Sequence, residues 1–447
     1  MTHTAEVSPV GPIGGPIGTQ IRGALSSRTD QALSALASRT AHSWMMALDR
    51  SKVLPEVGIS HAAPLDALSL KLFVKAGAGA HVTDMDGTRF LDLCLGSGAQ
   101  VLGHAHPVVQ EAIVGQCARG WHFDFPGDGQ LELARLIQSA GAANERVALC
   151  GSGRSAAATA AALARAFTGK AGIAAFTGAF QRKGESAQAV LPYGHPAALD
   201  QIRKRAHDLA AVMVEPVRTT DPSLERALWL QELVITCRES GVLLIFDERQ
   251  TGFRLSYGGA QEAFGLMPDL AVYGKVVGGG LPSGAVAGRA DVMAMLNDPK
   301  APENPAAARL GISSLSVTAG IAALGYLHAN RAGLFPALND AGRRLADRFN
   351  AFARGERLPA EMRCAGSMFR ISFGATLGGT QAGEPAASFR TAEAAYGVLV
   401  LSRGVMTLPG HRGFVSTAHT GEDLENAHAA LTQSLIDLRD DGLFGQA

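Results

Sequence analysis

The sequence predicts an α/β fold, a mostly parallel sheet covered by helices on both faces, together with a smaller α+β lobe. Between Leu131 and about Ser316, short β-rich segments alternate with helical stretches, the pattern of strand-helix-strand units. Glycine occurs 53 times in 447 residues, which suits many tight strand-to-helix turns. The apolar run Val242-Leu243-Leu244-Ile245-Phe246 stops at Asp247, as a buried strand does when its carboxyl end reaches a polar crevice.

A chain of this length exceeds one simple core, so two domains are expected. Residues 1–27, with Gly-Pro-Ile-Gly-Gly-Pro-Ile-Gly, carry no helical or strand period and read as a flexible tail. Residues 28–105 are expected to contribute to a small domain, 106–330 to form the large domain, and 331–447 to complete the small one. Apolar spacing at Leu33, Leu36, Trp44 and Leu48 predicts a helix from about Thr29 to Leu48. Ala80 to Leu93 reads as two short strands around an Asp-x-Asp-Gly turn, a β-hairpin. Strands follow at Arg146–Leu149, Ile173–Phe176, Ala211–Glu215, Val242–Asp247, Leu270–Tyr273 and Gly284–Ala287. The pattern turns helical from Val317 to Arg344. Strands at Met368–Phe373 and Gly413–Thr417, framed by helices at Phe389–Arg403 and Glu422–Arg439, form a lobe expected to pack with the hairpin.

Forty basic and forty acidic residues cancel, which argues against a nucleic-acid surface or a polybasic membrane patch. No apolar run approaches the roughly 18 to 20 residues of a membrane span. The first twenty residues lack the basic-then-apolar pattern of a secretory signal, so a cytoplasmic enzyme is expected. The cysteines Cys94, Cys117, Cys150, Cys237 and Cys364 are odd in number and show no CxxC spacing, indicating neither a disulfide framework nor a metal site.

Asp247 and Lys275, 28 positions apart, carry the chemistry. A carboxylate at a strand's end and a lone lysine before Gly278-Gly279-Gly280 are the two groups that pyridoxal 5′-phosphate needs from a protein. The acid holds the pyridine nitrogen protonated and the amine forms the Schiff base. Left unpaired in a buried sheet, the Asp247 carboxylate would be costly. The words Asp247-Glu248-Arg249-Gln250-Thr251-Gly252-Phe253-Arg254, Gly258-Gly259-Ala260-Gln261, Pro268-Asp269-Leu270 and Gly274-Lys275-Val276-Val277-Gly278-Gly279-Gly280-Leu281-Pro282 resemble the class III aminotransferases of the fold type I pyridoxal phosphate enzymes. The glutamate-1-semialdehyde aminomutase branch is the most similar.

That resemblance implies a large cofactor-binding domain with a seven-stranded sheet, and it assigns roles. Lys275 is the internal aldimine lysine, whose freed amine moves a proton between substrate and cofactor. Ser152, Gly153 and Arg154 stand at the phosphate loop, where backbone amides and a helix N-terminus face an anion. The family there commonly has Ser-Gly-Thr-Glu-Ala, so Arg154 puts a guanidinium in place of a hydroxyl. Glu215, in Val214-Glu215-Pro216-Val217, lines the site or makes a structural salt bridge. Phe180 stacks on the ring, and Gln181 replaces the family's histidine. Arg249 and Gln250 follow the acid; relatives usually have valine at the Arg249 position, so Arg249 either lies over the ring face or turns outward. Ser313 or Ser314 stands where relatives lend a threonine to the neighbouring subunit's phosphate. His61 falls about where aminomutases have an arginine for the substrate carboxylate, and a neutral imidazole cannot make that bidentate clamp. The histidines of Gly103-His104-Ala105-His106-Pro107 read as structural.

The resulting expectation is an aminotransferase that takes an amino group from a small-molecule amine donor to a carbonyl acceptor, in a homodimer with shared active sites. The altered position 61 points to a non-standard amine such as an amino sugar. An aminomutase, an epimerase or dehydratase on the same scaffold, and a fold relative that has lost turnover and only binds remain open. A nucleotide-binding α/β protein is disfavoured, because no Gly-x-Gly-x-x-Gly follows the first strand and no Gly-Lys-Ser/Thr follows a glycine run.

Overall fold

The computed structural model describes residues 27–53, 72–121, 123, 125–177, 189–297, 312–374 and 389–444; the expected N-terminal tail lies almost wholly outside them. Strands β1 (Val74–Ala78), β2 (His81–Asp84) and β3 (Arg89–Asp92) come first. The strands β4 (Arg146–Cys150), β5 (Gly172–Phe176), β6 (Ala189–Leu191), β7 (Leu209–Val214), β8 (Leu243–Asp247), β9 (Leu270–Gly274) and β10 (Gly284–Gly288) follow. Strands β11 (Ala360–Ala365), β12 (Met368–Phe373), β13 (Val405–Met406) and β14 (Arg412–Phe414) complete the set.

Strands β4 to β10 form one seven-stranded sheet in the order β4-β10-β9-β8-β7-β5-β6. Only β10 runs antiparallel to its neighbours. The mostly parallel sheet is therefore as expected, and it follows from near-continuous apolar strands that must be covered twice. Side chains of β8 alternate between the two covers. Leu243 and Ile245 face the alanine-rich helix Gly153–Thr168 through Ala156, Ala157, Ala160 and Leu163. Leu244 and Phe246 face Ile202, Leu230 and Leu233 of the helices Pro196–Lys204 and Ala227–Glu239. Fully burying a side chain such as Phe246 contributes about 1.5–3 kcal/mol.

Six of these strands are legible as apolar segments. The seventh, β6, is a three-residue sheet edge with exposed Val190, too short to show a period. Reversal of β10 places its first residue, Gly284, opposite both Cys150 and Gly274. The carboxyl ends of β4 and β9 therefore meet at one edge of the sheet.

By contacts the chain forms two compact units, one of Gly98–Arg343 with Cys364–Met368, the other of Met1–Ser97, Arg344–Arg363 and Phe369–Ala447. The sheet above belongs to the first. In the second, β1, β2 and β3 are antiparallel neighbours, and β13 joins β3 in parallel. The Asp-x-Asp-Gly turn forms because Asp84 Oδ1 accepts the backbone N–H groups of Asp86 (2.9 Å) and Thr88 (2.7 Å). A core of Leu33, Leu36, Val82, Phe90, Ala394, Val398 and Leu401 lies there. A separate three-stranded sheet has the order β11-β12-β14. The N-terminal helix is two helices, Ser27–Arg39 and Ala41–Val53, interrupted at Thr40, whose hydroxyl donates to the Leu36 carbonyl at 2.9 Å. The long helix runs Ser314–Gly355, well beyond the expected Arg344. The expected strand Gly413–Thr417 shrinks to Arg412–Phe414.

Within the larger unit that long helix approaches the turn between β11 and β12 at Gly342, where an added Cβ would lie 2.2 Å from the Gly366 carbonyl oxygen. Ordinary helix propensity favours alanine over glycine by about 1 kcal/mol. The backbone collision outweighs it, so Gly342→Ala should destabilise by about 1–3 kcal/mol in denaturant unfolding. A gain in stability would show that the helix stands off the turn.

Candidate active site

Asp247 is the last residue of β8 and its side chain is 7% exposed. It is engaged by Arg249, two residues on. Arg249 Nε reaches Oδ1 at 2.8 Å, Nη2 reaches Oδ2 at 2.5 Å, and the Arg249 backbone N–H reaches Oδ1 at 3.2 Å. Arg249 thus does not turn to solvent, its side chain being 17% exposed and held on Asp247. Its stem passes the two glycines of the sheet edge: an added Cβ on Gly153 would lie 3.0 Å from Arg249 Cδ, and one on Gly274 3.6 Å from Arg249 Cγ.

Lys275 follows β9 directly. It opens the 3₁₀ turn Lys275–Gly278 with φ +55°, a left-handed conformation uncommon for a residue with a side chain. Its Nζ donates to Gln250 Oε1. Because β8 and β9 are parallel neighbours, with Asp247 paired to Val272, the carboxylate and the amine emerge at the same edge.

Ser152 caps the helix Gly153–Thr168. Its Oγ accepts the Ser155 N–H at 3.1 Å, and Ser155 Oγ accepts the Ser152 N–H at 3.0 Å, a reciprocal capping box. Arg154 is exposed in the first turn. The loop is closed on its sheet side by backbone. A Cβ on Gly284 would fall 2.3 Å from the Ser152 carbonyl oxygen, and one on Gly274 would fall 3.2 Å from Gly153 Cα. Those glycines let the loop and the sheet edge pack backbone against backbone, beside a helix N-terminus of positive potential.

Glu215 follows β7 and is buried. Ser313 Oγ accepts the Ser316 N–H at 3.1 Å and so caps the long helix, while the Ser314 N–H donates to the Trp121 carbonyl at 3.2 Å. Phe180, Gln181 and His61 lie outside the described residues.

Four neighbours of the site escaped the sequence reading. Glu248, fully buried, accepts the N–H groups of Ala260 (3.0 Å) and Gln261 (2.9 Å) and the Thr251 hydroxyl, pinning the turn after β8. Tyr273 accepts from Asn144 Nδ2 (2.9 Å) and Gln261 Nε2 (2.7 Å), anchoring β9 just ahead of Lys275. Arg254 is completely buried, bonded to the Gly98 carbonyl and to Ser367, and burial lowers its pKa to about 9. Arg218 donates to the Thr177 carbonyl at the end of β5 and to Asp221, both at 3.0 Å, with its guanidinium 4.2 Å from the Tyr193 ring centre. For Glu248 the signal was present, a second acid directly after a buried strand. For Arg218 only the i,i+3 pairing with Asp221 was within local reach; the Thr177 carbonyl and the Tyr193 ring are remote in sequence.

The aminotransferase class-III family model matches residues 63–191 and 193–430. The chain belongs to the class III aminotransferase family. It is 34% identical over 423 residues to a glutamate-1-semialdehyde 2,1-aminomutase of Methanoregula boonei, across 86% of this chain and 98% of that protein. Over 392 residues it is 35% identical to the same kind of enzyme from Deinococcus deserti, across 79% and 88%. Among solved structures it is similar to an omega-transaminase from Sphaerobacter thermophilus, with TM-score 0.79, 27% identity, and 90% and 98% of the two chains covered. A β-phenylalanine aminotransferase from Variovorax paradoxus gives TM-score 0.81 at 25% identity, with 94% and 98% covered.

The class III fold is that of fold type I pyridoxal phosphate enzymes, and this member is a pyridoxal 5′-phosphate enzyme. The residues present fit that group. A buried carboxylate, a primary amine directly after the neighbouring strand, and a helix N-terminus that begins at a glycine converge on one edge. Among the described residues no cluster of His, Cys, Asp and Glu could hold a metal, and no helix is long and apolar enough to cross a membrane. Among the described residues no disulfide joins any of the five cysteines.

Burial pushes the Glu248 carboxyl up to about 7 from the ordinary 4.5, against the pull of its three hydrogen-bond donors. Between those values the folded state binds the proton that the unfolded chain releases. The stability contributed by this group is therefore full below about 4.5 and lost as pH rises through about 7. The stability difference between wild type and Glu248→Gln, measured by denaturant unfolding, should fall across that window. A difference independent of pH would contradict this account of Glu248.

Proposed function

We propose that this family member is an aminotransferase, moving an amino group from a small-molecule amine donor to a carbonyl acceptor. The observation that carries the reading is the convergence of Asp247, Lys275 and the Ser152–Gly153 loop on one sheet edge. When bound, pyridoxal phosphate supplies an electron-poor ring that accepts the electron pair left as a substrate carbon loses its proton. Asp247 holds a proton at the ring nitrogen. The backbone N–H groups after Ser152, with the Arg154 guanidinium, hold the phosphate.

Lys275 binds the aldehyde covalently and, once its amine is released, carries the proton to and from the substrate carbon. Gln250 orients that amine. In this reading Phe180 packs on the ring, Gln181 and Glu215 border it, and Ser313 or Ser314 serves the phosphate of a second copy in a homodimer. A cytoplasmic setting goes with the reading. The substrate is an amine without a carboxylate to clamp, such as an amino sugar, because position 61 is histidine rather than arginine.

A second reading, transfer within one molecule, is supported by the aminomutase names of the curated relatives. Dependence on a separate donor separates the two. Purified protein should show the absorbance of Lys275-bound cofactor and lose it on adding an amine donor, with product formed only when an acceptor is also present. Product formed from one substrate without any donor would favour the aminomutase. Lys275→Ala should abolish both the band and turnover, and retention of either removes Lys275 from its role. If an acceptor panel shows turnover of keto acids alone and none of keto sugars, the amino-sugar assignment is wrong.

A further inference from the structure

In a pyridoxal phosphate site the Asp247 carboxylate has a definite task, to hold a proton on the ring nitrogen, yet here both of its oxygens are already engaged. Arg249 takes them as a fork, Nε on Oδ1 at 2.8 Å and Nη2 on Oδ2 at 2.5 Å. A guanidinium does not lose its proton near neutral pH, so this pairing persists wherever the carboxylate is charged. Arg249 is also kept inside the crevice. Its side chain is 17% exposed, and its stem runs along Gly153 and Gly274 at the ends of the sheet, where a Cβ on either glycine would touch it. Without Arg249, Asp247 would be a nearly buried carboxylate lacking its cation, an expensive arrangement. Lys275 is likewise engaged, by Gln250.

We propose that Arg249 is a resident counter-cation that competes with the cofactor's ring nitrogen for Asp247. It stabilises the cofactor-free protein, and it makes the chain hold pyridoxal phosphate more loosely than Asp247 alone would. A carboxylate has lone pairs for a further donor. Its charge, however, is already balanced by the guanidinium, and that charge is what keeps a ring nitrogen protonated. Arg249 is thus a positioning residue that sets cofactor affinity through Asp247. The inference rests on the cofactor reading above.

The test is equilibrium dialysis with pyridoxal 5′-phosphate, together with thermal unfolding of cofactor-free and loaded protein. Wild type, Arg249→Val, Asp247→Asn and the double variant are compared. Arg249→Val should lower the Tm of the cofactor-free protein, widen the gap between free and loaded forms, and tighten the Kd at least about tenfold, the ratio equivalent to one charge-assisted hydrogen bond. In the Asp247→Asn background the same change should leave the Kd unaltered, because no charge remains to contest. If cofactor-free Arg249→Val does not fold, Arg249→Lys, which keeps the charge and loses the fork, should tighten binding by a smaller factor.

Weaker binding by Arg249→Val would make Arg249 a cofactor ligand and overturn the proposal, as would equal tightening in both backgrounds. Wild-type protein that takes up no cofactor would defeat the cofactor reading itself, and this inference with it. Uptake through Lys275 without the predicted tightening defeats this inference alone.

Discussion

Everything at the site depends on the parallel pairing of β8 with β9. The register of Asp247 with Val272 sends a carboxylate and, three residues later, an amine out of the same edge of the sheet. Two opposite charges could meet there on flexible loops only at a large cost in conformational entropy. Here strands buried on both faces meet that cost once, as part of folding. The antiparallel strand β10 adds the third component. By pairing with both β4 and β9 it draws the helix Gly153–Thr168, N-terminus first, against the lysine's own strand, and glycines at 153, 274 and 284 permit the approach.

Much of this was legible before any coordinates. Continuous apolar runs such as Val242 to Phe246 announce strands covered twice, and the acid that stops such a run marks the edge where ligands collect. Lys275 stood out as a lone lysine that a glycine run follows. The illegible parts are those whose cause is remote. Strand β6 is too short to carry a period. Arg218 finds the Thr177 carbonyl 41 residues away, and Tyr273 finds Asn144 129 residues away. No local pattern encodes those distances. The end of the long helix at Gly355 was missed because helical periodicity gives no reason to stop at any particular turn.

Arg249 and Gln250 are the instructive case. From the sequence Arg249 was a departure from a family pattern, and neither residue had a partner specified. The structure gives each a partner, Asp247 for Arg249 and Lys275 for Gln250. Beneath them Glu248 holds the turn by accepting three donors at the cost of its own desolvation. A rigid turn, a paired acid and a tethered amine describe a site whose charges are satisfied before any ligand arrives. Such a site is stable when empty and binds less tightly than one with unmet charge.

The central claim is that one particular amine, placed by β9, makes the covalent bond to the cofactor. Borohydride reduction of the loaded protein followed by peptide mass analysis tests it directly, since the chain contains only eight lysines. The account predicts a single pyridoxyl-modified peptide, the one containing Lys275. Modification at another lysine in its place, or none at all, would contradict it.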